Sequence, residues 1–574
     1  MLDAKDRVRV VRAAPGSGKT WLIAEAVRRE ITAWGSAPGG VALLSFTNTA
    51  RKEIELALGN GVPHPHIVRT IDAFLFRYVV RPLWKGNVAP RILPPLPRSI
   101  STYIADESRA KYEVEVKGAR FPIHLHSAHC ARMVGDQVQV VFQPSGYGDP
   151  MPLDPDDSRS VIERKKEIWM TEGLLTYSDA SYLAASALRR YESARRLLAR
   201  RFPLLVIDEV QDTGAFKTEA LRLLLEQRTV RGLSVGDPDQ AIYEFAGATP
   251  AVFGTFEALE GAESFGLPQT HRCSLAVSRV ASCLSSSGED IRPRQGNGEG
   301  GAFLIPHGGE MGDAVAWAEG LLEFQPELCI KVLSRGNAAI ATLQGASKSP
   351  KYYSPSLHLL DEAVRALRAG SSSKAIERSS MAVSRVASGI PEGVAKAAAR
   401  LGQTEIAWKK LCADALLLAE RYADGISFLD WGHAVKKEIH LLFAGESLPI
   451  NRPIKAPRST TVVGSWGKRR GRVESGTLRV PVQTVHAAKG ETHDITILFV
   501  PRSQHRCPSK IWWGDEGEEK RIAYVAASRP KHWFVLNVSE QSLASLRSEQ
   551  PEFVGHFTVL KGWDELPQFP LPSN

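Results

Sequence analysis

Lys19 and Thr20 close the string Ala13-Ala14-Pro15-Gly16-Ser17-Gly18-Lys19-Thr20, an A-x-x-G-x-G-K-T pattern. Glycines let a backbone wrap tightly around an anion, so that successive N–H groups converge on it. A helix beginning at the lysine adds its partial positive charge. The chemistry is phosphate binding, with Lys19 reaching the β/γ-phosphates and Thr20 placing its hydroxyl on Mg²⁺. A second acidic string, Asp208-Glu209-Val210-Gln211-Asp212, supplies two carboxylates with a division of labour. Asp208 would hold the Mg²⁺, and Glu209 would accept a proton from the attacking water. Gln240, in Gly236-Asp237-Pro238-Asp239-Gln240, is placed to orient that water or to sense the γ-phosphate.

The elements that must carry these residues are legible around them. Val8-Arg9-Val10-Val11 precedes the glycine string, and Trp21-Leu22-Ile23-Ala24-Glu25-Ala26-Val27 follows with helical periodicity. That is the strand–loop–helix context of a phosphate-binding loop. Phe202–Ile207 and Gly232–Val235 read as buried strands whose polar residues stand at the carboxyl end, where open α/β sheets place ligands. Val41–Phe46, ending in Thr47, and Ile67–Phe74, containing Thr70, repeat the form. Tyr243 and Phe245 offer rings that stack on bases, although isolated rings in such positions are commonly core.

Two stretches break this rhythm. Residues 86–165 predict short antiparallel strands near 111–116, 121–126 and 137–142. His124, His126, His129 and Cys130 cluster there, as surface histidines or as a metal site. Residues 346–475 are Ser/Ala-rich and helical, ending near the basic loop Gly467-Lys468-Arg469-Arg470-Gly471-Arg472. A second α/β region lies on either side of this helical stretch, in 266–345 and 476–547, and 548–574 reads as a Pro-rich tail.

With 574 residues the chain exceeds one core. A net charge of +9 leans mildly toward polyanions. Six scattered cysteines without a C-x-x-C pair argue against an iron–sulfur cluster or zinc ribbon and fit a reducing, cytoplasmic setting. Neither a signal segment nor a run of about twenty apolar residues is present, so no membrane is expected.

Taken in order, AAPGSGKT, SFTNTARKEI, RTIDAF, LLVIDEVQDT, VGDPDQAIYEFAGA, LPQTHRCS, VQTVHAAKGETHD and EEKRIAYVAASRP resemble the motif set of the UvrD/Rep-like superfamily 1 helicases. The resemblance implies two RecA-like parallel-sheet domains, 1–85 with 166–265 and 266–345 with 476–547, each carrying an inserted subdomain. It implies ATP and Mg²⁺ in the cleft between them. Arg272 and Arg529, the latter on the last turns of its helix, become arginine fingers supplied by the second domain. Single-stranded DNA is the implied track, usually read 3′ to 5′. Phe46, Tyr243 and Phe245 match base-stacking positions; Thr47, Thr70 and Thr484 match positions near the phosphate backbone, with His486 beside them.

There are departures. No Gln stands among the twelve residues before Ala13, so either adenine selectivity is lost or the start lies upstream. Asp72 stands where the family has His, Ala246 follows Phe245 in place of Arg, and Thr492 replaces a ribose-contacting Glu. The first insertion reads as strands where well-known members have helices. The stretch Thr70-Ile71-Asp72-Ala73-Phe74 with Arg81-Pro82-Leu83 is similar to the helicase subunit of Gabija-type anti-phage systems. Two functions therefore stand: a DNA translocase or helicase, and a nucleic-acid-sensing ATPase that regulates a partner nuclease with little unwinding. The tail lacks the acidic cluster of a helicase–nuclease.

Overall fold

The computed structural model describes residues 7–35, 38–59, 62–92, 113–116, 119–122, 128–134, 137–142, 151–243, 250–288, 290–308, 311–336, 340, 355–368, 371–387, 390–391, 393–421, 428–445, 479–501, 508–513 and 517–569. The chain divides into two compact units. One comprises Met1–Trp84, Ala180–Leu343 and Leu478–Asn574; the other comprises Lys85–Asp179 and Gln344–Thr477.

The first unit holds two six-stranded sheets, both wholly parallel. The first sheet is built from β1 (Val8–Ala13), β2 (Val41–Ser45), β3 (Ile67–Thr70), β4 (Leu204–Ile207), β5 (Arg231–Gly236) and β6 (Ala262–Leu267), in the order β6-β1-β5-β4-β2-β3. β2 and β4 are buried along their whole length. They are continuous apolar runs because a parallel sheet is covered on both faces. Helices α1 (Lys19–Ala33), α2 (Asn48–Leu58), α3 (Ile71–Leu75) and α4 (Ala215–Leu225) follow the strands that carry the motifs.

The second sheet contains β7 (Gly301–His307), β8 (Ile330–Ser334), β9 (Val482–Thr484), β10 (His493–Phe499), β11 (Pro530–Ser539) and β12 (Thr558–Val559), in the order β9-β8-β10-β11-β7-β12. Helices α5 (Leu275–Leu284) and α6 (Glu518–Ala527) pack beneath it, with Val277, Val280, Tyr524 and Phe534 in one core. The segment after 548, read from sequence as a tail, joins this lobe. β12 pairs with β7, and Phe557 and Phe569 are buried.

In the second unit, Glu113–Val116 pairs antiparallel with Ala119–Pro122, and Ala128–Val134 with Gln137–Phe142. The helix Pro155–Glu172 sits against the latter hairpin, where Val140 N–H donates to Ser158 Oγ at 3.2 Å. The unit extends to Asp179, although the sequence rhythm puts the return to the first sheet at 166. Lys165 and Asp179 form a wholly buried ion pair 3.0 Å long. Five helices between Pro355 and Gly445 enclose a separate core around Trp408, Trp431 and Phe443. His124, His126 and the basic loop 467–472 lie outside the described residues, as do the side chains of His129 and Cys130.

Candidate nucleotide and nucleic-acid site

The phosphate loop follows β1 directly. Gly16 has φ +70° and Gly18 has φ +87°, conformations that side chains rarely adopt. A Cβ built on Gly16 would stand 2.5 Å from Arg272 Cβ and 2.9 Å from Thr270 Oγ1. The loop is therefore pressed onto the segment that leads into the second lobe. His271 N–H donates to Gly16 O at 2.8 Å, and Ala14 N–H donates to Leu267 O at 3.0 Å. Helix α1 starts at Lys19 with no side-chain cap and no acidic residue in its first turn. Its N–H groups need an acceptor, which a phosphate supplies. Ser17 Oγ is buried with no hydrogen-bond partner.

Carboxylates gather at the ends of β4 and β5. Asp208 N–H donates to Leu44 O at 2.8 Å, tying it to β2. Burial, then the neighbouring Glu209, push the Asp208 carboxyl up to about 8. A divalent ion held with Thr20 would favour its charged form. Burial also acts on Glu209, but Lys19, Lys489, a bond from Gln211 and Arg529 outweigh it and hold the group below the usual range. The two carboxyls are thus pulled in opposite directions, Glu209 toward the ionised form that a base requires. It has φ +50°, the only positive φ at a non-glycine among the described residues. Such strain costs about 1–2 kcal/mol and persists only where the surroundings enforce it.

The Glu209 side chain is held by Gln211, a residue that its sequence context does not single out. Its amide donates to Glu209 Oε2, and its Oε1 accepts from Asp237 N–H at 3.1 Å. The chain at Gly236 leaves room for that amide; any Cβ there would collide with it. Gln240 donates to Asp237 Oδ2 at 2.7 Å, and Asp237 also accepts from Tyr524 at 3.0 Å. Gln240 is therefore 4 % exposed and fixed, with its Oε1 toward Arg529 at 3.4 Å.

Arg529 lies beyond α6, in the turn into β11, and not on the helix as its sequence suggests. It is 1 % exposed. Its Nε donates to Val525 O at 3.0 Å and one terminal nitrogen to Ser528 Oγ at 3.1 Å. Arg272 donates to Ser528 O at 3.1 Å. Among the described residues neither guanidinium pairs with a carboxylate. Burial, then Arg272, pull Arg529 down to about 10, and burial lowers Arg272 as well. A buried and a half-buried guanidinium thus lie together, with Glu209 and Asp237 near enough to act on Arg529 but not paired with it.

Beside this lies a row of rings. Phe46 and Tyr243 have centroids 6.1 Å apart, and Tyr243 and His486 5.9 Å. His486 Nε2 lies 3.0 Å from Ile242 O. Lys489 Nζ is 4.9 Å from the Tyr243 ring and 2.6 Å from Asp212, and it donates to Gln240 O at 2.7 Å. Thr47 and Thr70 are helix caps whose hydroxyls accept from Ala50 and Ala73 N–H, leaving each O–H free to donate. Thr484 accepts weakly from Ala487 N–H at 3.3 Å. Phe245 lies outside the described residues.

A further contact joins the lobes. Asp239, 2 % exposed, accepts from Ser285 Oγ at 2.6 Å, Ser286 N–H at 2.8 Å and Ser287 Oγ at 2.7 Å. Trp21, directly after Thr20, is by contrast 65 % exposed.

The family model of the UvrD/REP helicase N-terminal domain matches residues 2–259, and that of the UvrD-like helicase C-terminal domain matches residues 468–541. The chain is similar to the ATP-dependent DNA helicase UvrD1 of Mycobacterium tuberculosis, 24% identical over 259 residues, 43% of this chain and 33% of that protein. It is similar to the Gabija protein GajB of Bacillus cereus, 24% identical over 268 residues, 46% of this chain and 44% of that protein. It is also similar to the RecBCD enzyme subunit RecB of Mycolicibacterium smegmatis, 30% identical over 123 residues, 20% of this chain and 11% of that protein. The matched region spans less than half the length of each of these relatives.

Proposed function

The chain belongs to the UvrD/Rep-like superfamily 1 helicases, and on that footing we propose that it hydrolyses ATP to move along single-stranded DNA, 3′ to 5′. The observation that carries the reading is the pair Arg272 and Arg529, one half-buried and one buried, neither paired with a carboxylate among the described residues, with Arg272 Cβ packed against Gly16 of the phosphate loop. Ala13–Thr20 would cradle the phosphates, with Lys19 on the β/γ oxygens and the orphaned Ser17 hydroxyl as a further donor. Thr20 and Asp208 would hold Mg²⁺, which offsets charge on the phosphates. Glu209, ionised and fixed by Gln211, takes the proton of the attacking water, and Gln240 positions it. Arg272 and Arg529 stabilise charge on the transferring phosphoryl group.

Phe46, Tyr243 and His486 form the stacking row for bases, and Thr47, Thr70 and Thr484 stand at strand ends to meet phosphates. Phe245 belongs to that set by its motif alone. Trp21 and His271, both exposed beside the loop, offer faces to the nucleotide base. Among the described residues no helix is long and apolar enough to cross a membrane, and the reading places the chain in the cytoplasm.

A second reading is favoured by the similarity to GajB and to RecB, a named subunit of an enzyme complex. In it the ATPase senses nucleic acid and regulates a partner nuclease, as in anti-phage defence, and unwinds little. Strand displacement on a 3′-tailed duplex, with ATPase measured in parallel, tests both. ATP-dependent displacement that is lost in Lys19→Ala supports the translocase. DNA-stimulated ATPase without displacement selects the sensor, and no ATPase at all refutes both.

A further inference from the structure

Asp72 opens α3, and its partner comes from far along the chain. Lys217, on α4, puts Nζ 2.8 Å from Asp72 Oδ2. The same Nζ lies 5.2 Å from the centroid of the Phe46 ring. Both side chains are largely shielded, at 16 % and 22 % exposure. Asp72 Oδ1 is buried and has no hydrogen-bond partner, so the carboxylate spends its whole attraction on one cation. The Phe46 ring is therefore bounded on one side by a held ammonium and faces Tyr243 at 6.1 Å with planes tilted by 31°.

We infer that Lys217, anchored by Asp72, is a positioning residue that fixes the Phe46 ring as a wall of the base-stacking row. The inference rests on the reading of Phe46 as a base-contacting ring. A base sandwiched between two rings needs two stacking gaps of about 3.4 Å, or about 7 Å. The Phe46–Tyr243 spacing falls short of that, so an entering base must widen it or stack on an outer edge. Tyr243 is braced by Lys489 and its bond to His486 O at 3.5 Å. Phe46 is braced by Lys217. A cation close to a ring face is attracted to it electrostatically, so moving the ring away from Nζ is opposed. The ring is thereby pre-organised, and a base that stacks on it immobilises less. The ammonium acts through Phe46 and not by touching DNA itself.

The test is a double-mutant cycle on affinity for a fluorescein-labelled single-stranded oligonucleotide, with circular dichroism confirming the fold of each variant. Lys217→Met keeps the stem and removes the charge. It should weaken binding by about three- to tenfold in the wild-type background, the range that cation–π contacts span. In the Phe46→Ala background it should change affinity by less than twofold. Lys217→Arg keeps a cation on the ring and should stay within about twofold of wild type. The exchange Asp72→Lys with Lys217→Asp restores the ion pair but moves the cation off Phe46, and should not rescue. Full rescue by the exchange would overturn the inference, because the pair would then be structural. An equal loss from Lys217→Met with and without Phe46 would overturn it too, since the lysine would then act independently of the ring. Phe46→Ala binding like wild type would refute the stacking role of the ring, and with it this inference. Weakened binding by Phe46→Ala with an unaffected Lys217→Met would leave the stacking role standing and refute the inference alone.

Discussion

Replacing Arg529 with Met separates catalysis from stability. The side chain is 1 % exposed and has no carboxylate partner among the described residues. Burial, then Arg272, pull it down to about 10, which corresponds to roughly 3 kcal/mol by which the folded protein disfavours the charge. Met fills a similar volume without charge. It forfeits the bonds to Val525 O and Ser528 Oγ, worth about 1 kcal/mol each, and the longer ones to Gln240 Oε1 and Glu491 O at 3.4 Å, worth about half that. The two terms cancel to within about 1 kcal/mol, so the urea midpoint should hold. Turnover should fall by about 10³ or more, because a finger guanidinium is worth that in phosphoryl transfer. Nucleotide affinity should fall less, since the loop and metal ligands remain. Steady-state ATPase with and without single-stranded DNA, beside urea unfolding without nucleotide, gives both readouts. A loss of 3–5 kcal/mol in stability with near-normal DNA-stimulated turnover would refute the reasoning, for Arg529 would then be a structural cation.

Glu209→Gln should bind ATP as wild type does but turn over at least about a hundredfold more slowly, as general-base loss implies; a filter-binding assay showing lost ATP affinity would contradict that division from Asp208. GTP should compete with ATP within about tenfold, and Trp21→Ala should weaken both nucleotides and abolish any quenching of tryptophan emission on binding; strict ATP preference would mean another residue reads the base. Burial holds His493 at about 4, neutral beside Glu491, Lys331 and Arg529. Its folded value is depressed below 6.5, so its contribution is complete above 6.5 and is lost as pH falls toward 4. The size is roughly 3 kcal/mol, and urea unfolding of His493→Gln should show a flatter pH dependence across that window.

The phosphate loop, the acidic strand end and the two parallel sheets were legible because each rests on local pattern. An apolar run followed by a polar turn identifies a buried parallel strand wherever it falls. Arg529 falls just past the helix that its sequence predicts for it, since Ala523–Ala527 continues a helical pattern into Ser528 and only the tertiary turn ends it. Gln211 looked like one more polar residue in DEVQD; its role appears only when β5 brings Asp237 N–H beside it. Lys217 and Asp72 stand 145 positions apart, and no local signal pairs them. The segment beyond 548 read as a tail because its strand is two residues long and owes its place to β7.

The grip of Ser285–Ser287 on Asp239 has a mechanical consequence. Its donors come from one lobe and its acceptor from the other, so the lobes cannot part without breaking the cluster. Three bonds to a carboxylate at about 1.5 kcal/mol each come to roughly 4.5 kcal/mol, a bias of about a thousandfold or more toward engagement. Such a joint behaves as a ratchet pawl and not as a free hinge. A ligand can disengage it only through a matching difference in affinity for the parted state. Asp239→Asn should shift that balance, and donor–acceptor fluorophores placed on the two lobes would report it. An unchanged transfer efficiency in the variant, with and without nucleotide, would show that the pawl carries no load.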